Sequence, residues 1–151
     1  MLDTTTSFDF KTELVNKPHP HNGMVFNTKL KRAIPNKKER AYQAELQLQI
    51  ARYMHNNKIS MFGKVPLYVE YEFGFELLKS FSKKDRVAAL LRKLLPVSNR
   101  NQGDLDNLEK STQDVLNGLA IDDDRFIVAK HSVKYYTEKP CVAIRIKELE
   151  I

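Results

Sequence analysis

The sequence predicts a mixed fold, α/β or α+β, in which helices pack on a single mixed sheet that ends in a C-terminal β-hairpin. Three segments carry hydrophobic residues at helical spacing, and strand-like alternation marks both ends and the middle of the chain. Helical and strand patterns interleave along the chain, and the two strands of the expected hairpin are antiparallel. A single mixed sheet is therefore expected. The length of 151 residues fits one domain, residues 1–151.

The first third of the chain predicts a strand, a long loop and a helix. Apolar and polar residues alternate from Phe8 to Leu14, which indicates a half-buried strand. A loop is expected from Asn16 to Asn27, where Pro, Asn and His are frequent. It continues into a basic stretch whose cations are Lys29, Lys31, Arg32, Lys37, Lys38 and Arg40. Pro35 and Asn36 then predict the start of a helix over about residues 38–56, with its apolar stripe at Tyr42, Leu46, Ile50 and Tyr53.

The middle of the chain predicts the clearest strand and a short helix. Every odd position from Val65 to Phe75 is apolar, and polar residues stand between them. Ser82, three residues before Asp85, predicts a capped helix start, and Pro96 is expected to close this helix. Its expected apolar stripe is Val87, Leu90, Leu91 and Leu94. The opposite, basic face is interpreted as a solvated surface in preference to a phosphate-binding one.

Two Val-, Ile- and Tyr-rich segments near the C-terminus, residues 126–136 and 141–146, are joined by a short link that contains Pro140. This pattern predicts the hairpin.

Acidic residues concentrate in one segment of a basic protein. Residues 104–124 hold seven carboxylates and a single base, Lys110, so the rest of the chain has 24 bases against 12 acids. A basic chain with a sequence pI near 9.4 favours a polyanionic partner. Acids gathered within such a chain favour a bound divalent cation.

Helical periodicity places the polar residues of this segment on one face. Asp106, Asn107, Lys110, Asp114 and Asn117 fall on one side of the predicted helix, and its leucines fall on the other. Asp104 and Asp106 stand at its N-terminal end, where anions are favoured. The residues alone leave helix capping and cation binding equally open for these two. Asp122, Asp123 and Asp124, just before a strand, offer either a second source of oxygen ligands or a solvated turn.

The run D-L-D-N-x-x-K-x-x-x-D at residues 104–114, followed by Asp123-Asp124 before a strand, resembles the RusA-type Holliday junction resolvases. The resemblance implies a Mg²⁺-dependent endodeoxyribonuclease, with Mn²⁺ as a possible substitute, that acts as a homodimer on four-way DNA junctions. It implies Asp104, Asp106 and Asp124 as metal ligands, with Asp123 as the alternate and Asp122 as a bystander. Lys110 would be catalytic, Asn107 and Asp114 would support it, and Lys134, which matches a basic position of the family, would contact DNA.

The same residues leave some other functions open and exclude others. A DNA-binding protein without nuclease activity and a nuclease for flaps or forks both stay open, because the loop at residues 16–22 departs from the family pattern. An EF-hand is excluded, since Glu109 stands where glycine is needed. His19 and His21 are expected to lie on the surface without a functional role. The basic stretch could be a nuclear-localisation tract, but contact with the DNA backbone is the preferred interpretation.

The cellular setting is also an expectation. Cys141 is the single cysteine, which excludes an intramolecular disulfide. Neither a secretory leader nor a membrane span is apparent, so a cytoplasmic protein of a bacterial or phage-infected cell, without a membrane partner, is expected.

Overall fold

The computed structural model describes residues 7–21, 24–97 and 102–149. The strands are β1 (Phe8–Glu13), β2 (Met24–Asn27), β3 (Arg32–Pro35), β4 (Leu67–Glu76), β5 (Ile127–Thr137) and β6 (Cys141–Glu148). The helices are α1 (Lys37–Asn57), α2 (Lys83–Leu90) and α3 (Leu105–Leu116), and a short 3₁₀ turn spans Asp124–Phe126. The mixed α+β fold predicted from the sequence is therefore confirmed.

The main sheet has four strands in the order β1-β6-β4-β5. β4 runs parallel to β5 and antiparallel to β6, and β6 is antiparallel to β1. The predicted C-terminal hairpin is wrong, because β4 lies between β5 and β6. Two strand spacings amount to about 10 Å, and the short link from Thr137 to Cys141 can reach about 13 Å, so it crosses the end of β4.

Gly74 of β4 makes this crossing possible. A Cβ at Gly74 would lie 2.3 Å from Cys141 Sγ and 2.8 Å from Thr137 Cγ2, which are the two ends of the link. A glycine inside a strand often marks such a close approach. The link therefore passes over the one position of β4 that has no side chain.

One face of the sheet carries the core. Tyr42, Leu46 and Ile50 of α1 are fully buried, as are the alternate apolar residues of β4, so the predicted stripe and strand are confirmed there. The Tyr42 hydroxyl shares a 2.6 Å hydrogen bond with Thr112 and so joins α1 to α3. Asn36 caps α1 by accepting from the backbone N–H of Glu39, as its position predicts.

The expected loop between β1 and α1 contains a two-stranded ribbon. β2 and β3 pair antiparallel from Met24–Pro35 to Asn27–Arg32. Prediction of an irregular loop is therefore wrong over these residues. The two strands have four residues each, too short for period-two alternation to stand out from the basic and proline signals around them.

The short helix α2 begins as predicted but buries a different residue. Ser82 accepts a 3.1 Å hydrogen bond from the backbone N–H of Asp85. The expected apolar stripe is wrong: Val87 and Leu91 are about 60% exposed, and Ala89 is the buried residue. The helix ends at Leu90, well before Pro96, and Arg92 takes a left-handed backbone conformation (φ 59°) with its guanidinium 4.1 Å from the ring centre of Tyr135. The left-handed conformation of Arg92 takes the chain out of the helical path, and its guanidinium packs on the Tyr135 ring.

In the part of the chain that the structure describes, no helix combines the length and apolar character that crossing a membrane requires.

Candidate active site

The acidic helix α3 opens with two exposed carboxylates. Asp104 holds the capping position with an extended backbone, but its side chain makes no capping hydrogen bond. Asp106 lies within the first turn, so it does not cap the helix either, and its capping-box partner Glu109 points into the protein. The capping interpretation therefore finds no support in the geometry of either residue.

Lys110 and Asp114 form an ion pair on the exposed face of α3. Their Nζ and Oδ1 atoms are 2.9 Å apart, one helical turn from each other. The hydrogen bond to Asp114 raises the pKa of Lys110, and the negative charges of Asp114 and Asp124 add to this against partial burial. Lys110 therefore keeps its positive charge beside the acidic residues.

Asp124 faces the last turn of α3, whereas Asp123 is engaged elsewhere. Gln113 and Asn117 direct their side-chain N–H groups at Asp124 Oδ2, at 3.3 and 3.5 Å. The hydrogen bond from Gln113 is the largest cause that lowers the pKa of Asp124, and Asn117 and the charge of Lys110 lower it further. Asp123 instead accepts the backbone N–H of Arg125 at 2.8 Å and caps the 3₁₀ turn.

The three predicted ligands do not form one cluster. Within residues 7–21, 24–97 and 102–149, no group of three acidic, histidine or cysteine side chains could hold a metal ion as placed. Asp106 and Gln113, the partner of Asp124, are seven residues apart on α3, which is a rise of about 10 Å. The oxygen donors fit a hard divalent cation in kind, but they lie at the two ends of one polar face.

Lys134 is turned inward. Its Nζ donates a 2.9 Å hydrogen bond to the carbonyl oxygen of Gly103, the residue before Asp104, and so ties β5 to the start of α3. Gly103 itself has a positive φ of 78°. The other predicted DNA contacts are all exposed, on the ribbon turn and the first turn of α1: Lys29, Lys31, Arg32, Lys37, Lys38 and Arg40.

A small cleft beside Asp124 contains residues that the sequence analysis did not identify. Its volume is about 200 Å³, and Gln113, Asp124 and Lys130 are among the residues that line it. Lys130 Nζ lies 2.7 Å from Oε2 of Glu109, a nearly buried residue of α3. Glu109 falls on the side of the helical wheel that also carries the leucines, and this position was the signal available for its burial.

The prediction that His19 and His21 decorate the surface is wrong for His21. Its Nδ1 lies 2.8 Å from Oε1 of Glu39, whose side chain is completely buried, while the imidazole is 26% exposed. His19 has its Nδ1 2.8 Å from the backbone oxygen of Pro20. The contact between His21 and Glu39 joins residues 18 positions apart, and no local sequence pattern indicates such a pair.

Helix α3 thus presents the exposed carboxylates Asp104 and Asp106 and the positively charged Lys110, and carboxylates and an ammonium group are among the groups that can assist phosphodiester hydrolysis. The sequence model of endodeoxyribonuclease RusA matches residues 16–147, a stretch that includes every residue predicted for the site. The chain belongs to the RusA endodeoxyribonuclease family. It is an endonuclease of the Holliday junction resolvase type, which hydrolyses DNA phosphodiester bonds. A comparison with curated proteins found no match.

Proposed function

We propose that this protein, acting as one catalytic domain over residues 1–151, is a Mg²⁺-dependent homodimer that resolves four-way DNA junctions by paired nicks. Its role would be in DNA recombination and repair, in the cytoplasm of a bacterial or phage-infected cell. The observation that supports this most directly is the polar side of α3, where exposed Asp104 and Asp106 precede the positively charged Lys110, while the ionised Asp124 of the 3₁₀ turn faces the last turn of the helix.

Asp104 and Asp106 would hold the divalent cation. As placed, Asp124 lies at the other end of the polar face, so it, or Asp123 as the alternate, would have to move toward Asp104 and Asp106 when the cation binds to serve as the third carboxylate. Two or three carboxylates suffice for Mg²⁺, which keeps several waters and also binds substrate phosphate. The bound cation would polarise the phosphoryl oxygen and activate the attacking water, and Mn²⁺ could replace it.

The other polar residues near α3 would position the reacting groups and stabilise the negative charge that develops on the phosphate. Lys110 offers an ammonium group to the negative charge that develops on the phosphate. Its bond to Asp114 restrains the lysine side chain, and Gln113 and Asn117 restrain the Asp124 carboxylate. Asn107 would orient a ligand or the phosphate.

DNA binding would rest on the exposed cations of the β2–β3 turn and of the first turn of α1. They lie on elements other than α3 and are exposed, so they would bind backbone phosphates outside the acidic face. Lys134 would act through Gly103 by holding the start of α3. A four-way junction has two-fold symmetry, and a two-fold dimer would present two matched sites to it.

The test is cleavage of a labelled four-way junction beside matched duplex, fork and single-strand DNA, in Mg²⁺ and in EDTA, by the wild type and Asp106→Asn. Symmetric paired nicks that need metal and are lost in the variant support the proposal. Cleavage that favours forks or flaps keeps the chemistry and rejects the junction as substrate. Tight junction binding without a nick under any metal rejects the catalytic proposal.

A further inference from the structure

The first turn of α1 contains a fully buried carboxylate with an incomplete set of partners. Glu39 is 0% exposed, and one of its oxygens, Oε2, has no hydrogen bond within the described residues. The other, Oε1, meets Nδ1 of His21 at 2.8 Å. Burying an ionised carboxylate is costly, and a single imidazole contact compensates it incompletely.

His21 is fastened beside the first turns of the acidic helix. Its backbone N–H donates a 2.9 Å hydrogen bond to the carbonyl oxygen of Asn107, the residue after Asp106. Ser111 of α3 donates its hydroxyl to the carbonyl oxygen of His19. Pro20 packs against Gly103, where a Cβ would lie 2.5 Å from the proline ring. These three contacts hold the chain at residues 19–21 next to the end of α3 that carries Asp104 and Asp106, and the imidazole itself contacts Glu39 of α1.

The partner of Nδ1 determines what the other ring nitrogen can do. In the tautomer in which Nδ1 donates to Oε1 of Glu39, Nε2 is the remaining polar atom of a partly exposed ring. When Nε2 is also protonated, the ring is an imidazolium whose charge Glu39 balances from the buried side. Such a ring can donate Nε2–H to an anion.

The surroundings favour an anion at this place. Lys38 stands next to Glu39 at the N-terminus of α1, where a helix attracts negative charge. Burial, and then the positive charge of Lys38, lower the pKa of Lys17, which begins the loop that carries His21.

We propose that His21, oriented by Glu39, donates a hydrogen bond through Nε2 to a phosphate of the DNA strand that passes the N-terminal turn of α3. This inference rests on the proposed function, to which it adds a backbone contact close to the metal-binding end of the site. The competing explanation is a purely structural pair that fastens the loop to α1.

The test measures DNA affinity against salt concentration in Ca²⁺, with a four-way junction and a plain duplex, for the wild type, His21→Ala, His21→Arg, Glu39→Gln and His19→Ala. His21→Ala should lower affinity roughly tenfold at low salt and reduce the slope of log affinity against log salt by about one. His21→Arg should restore the slope, because it returns a cation. Glu39→Gln should weaken binding in the same direction. His19→Ala, the matched control on the same loop, should change neither quantity.

Two results would overturn the proposal. One is a salt slope for His21→Ala equal to that of His19→Ala. The other is a loss of affinity that His21→Arg does not reverse and that follows a fall in melting temperature, which is the behaviour of a structural pair. Normal binding by His21→Ala, even with slow cleavage, is a case of the first result. Because a phosphate contact does not depend on DNA shape, the duplex arm tests it even if the wild type shows no preference for junctions.

Discussion

The hydroxyl of Tyr71 donates a 3.0 Å hydrogen bond to the side-chain oxygen of Gln113. This bond fixes the Gln113 amide so that its N–H group faces Asp124, at 3.3 Å. Tyr71 is fully buried in β4, and burial, above all other causes, raises its pKa, so the hydroxyl keeps its proton at neutral pH. A residue in the centre of the sheet thereby sets the direction of a carboxylate on the surface.

Gln113→Leu should slow cleavage about tenfold, because loss of one hydrogen bond to a charged group costs about 1.5 kcal/mol or more and lets Asp124 reorient. Tyr71→Phe should slow it less, by about threefold, with a loss of stability near 1 kcal/mol. Single-turnover cleavage with saturating enzyme measures both. Gln43→Leu is the control, since Gln43 donates to a backbone oxygen of α3, that of Ser111, and should affect stability alone. Equal rates for the wild type and Gln113→Leu would show that the hydrogen bonds from Tyr71 through Gln113 to Asp124 do not contribute to cleavage.

Asp104→Asn and Asp106→Asn should each reduce cleavage by at least about a hundredfold and leave junction binding in Ca²⁺ intact, since the proposed cation needs ionised oxygen ligands. Asp104 makes no capping hydrogen bond, so Asp104→Asn should leave the melting temperature nearly unchanged. Cleavage assays, binding assays and thermal unfolding on the same samples separate the roles. If binding and melting temperature fall together with activity, the two residues are structural.

Asp123→Ala should mainly lower stability, whereas Asp124→Asn should mainly lower the cleavage rate. Asp123 caps the 3₁₀ turn, so its loss should cost about 1 kcal/mol of unfolding free energy and change cleavage by less than about threefold. Asp124→Asn removes the carboxylate that faces α3 and should cost about a hundredfold in rate with little loss of stability. Urea unfolding and single-turnover rates distinguish them. The reverse result would make Asp123 the ligand.

Gly74→Ala should destabilise the fold by about 1–3 kcal/mol, the usual cost of forcing an extra methyl group into a packed site. The new Cβ would meet Cys141 Sγ and Thr137 Cγ2, at the crossing over β4. Gly63→Ala is a matched control, because a Cβ there would have no heavy atom within 4 Å. Urea unfolding of the two variants gives the comparison, and equal stabilities would mean that the crossing link can shift aside at little cost.

The elements that local patterns predicted correctly are those whose burial follows from their own sequence. β4 alternates with period two, α1 carries its stripe at helical spacing, and Asn36 and Ser82 cap helices as their side chains suggest. The polar face of α3 also followed from periodicity, because Asp106, Lys110 and Asn117 recur with the helical turn.

The errors have a common physical cause, which is that tertiary neighbours decided the outcome. Insertion of β4 between β5 and β6 overrode a short link that would suit a hairpin, and Gly74 was the single local sign of it. In the site, Tyr71 and Gln113 are 42 residues apart, and His21 and Glu39 are 18 apart. Pairs at such separations form because the sheet and helices bring them together, so helical or strand spacing cannot indicate them.

Lys110→Ala should slow cleavage about a hundredfold, the usual loss when one preorganised group that stabilises the transition state is removed. Its melting temperature should hardly change, because an exposed i,i+4 ion pair contributes only a few tenths of a kcal/mol. The bond to Asp114 raises the pKa of Lys110 above its usual value near 10.5, so the ammonium persists throughout about pH 6–9. The ratio of wild-type to Lys110→Ala rates should therefore be constant over that range.

Lys139→Ala breaks another exposed ion pair, with Glu13, and should leave the rate unchanged. A rate for Lys110→Ala equal to that of Lys139→Ala would remove Lys110 from the catalytic mechanism and leave it as a surface partner of Asp114.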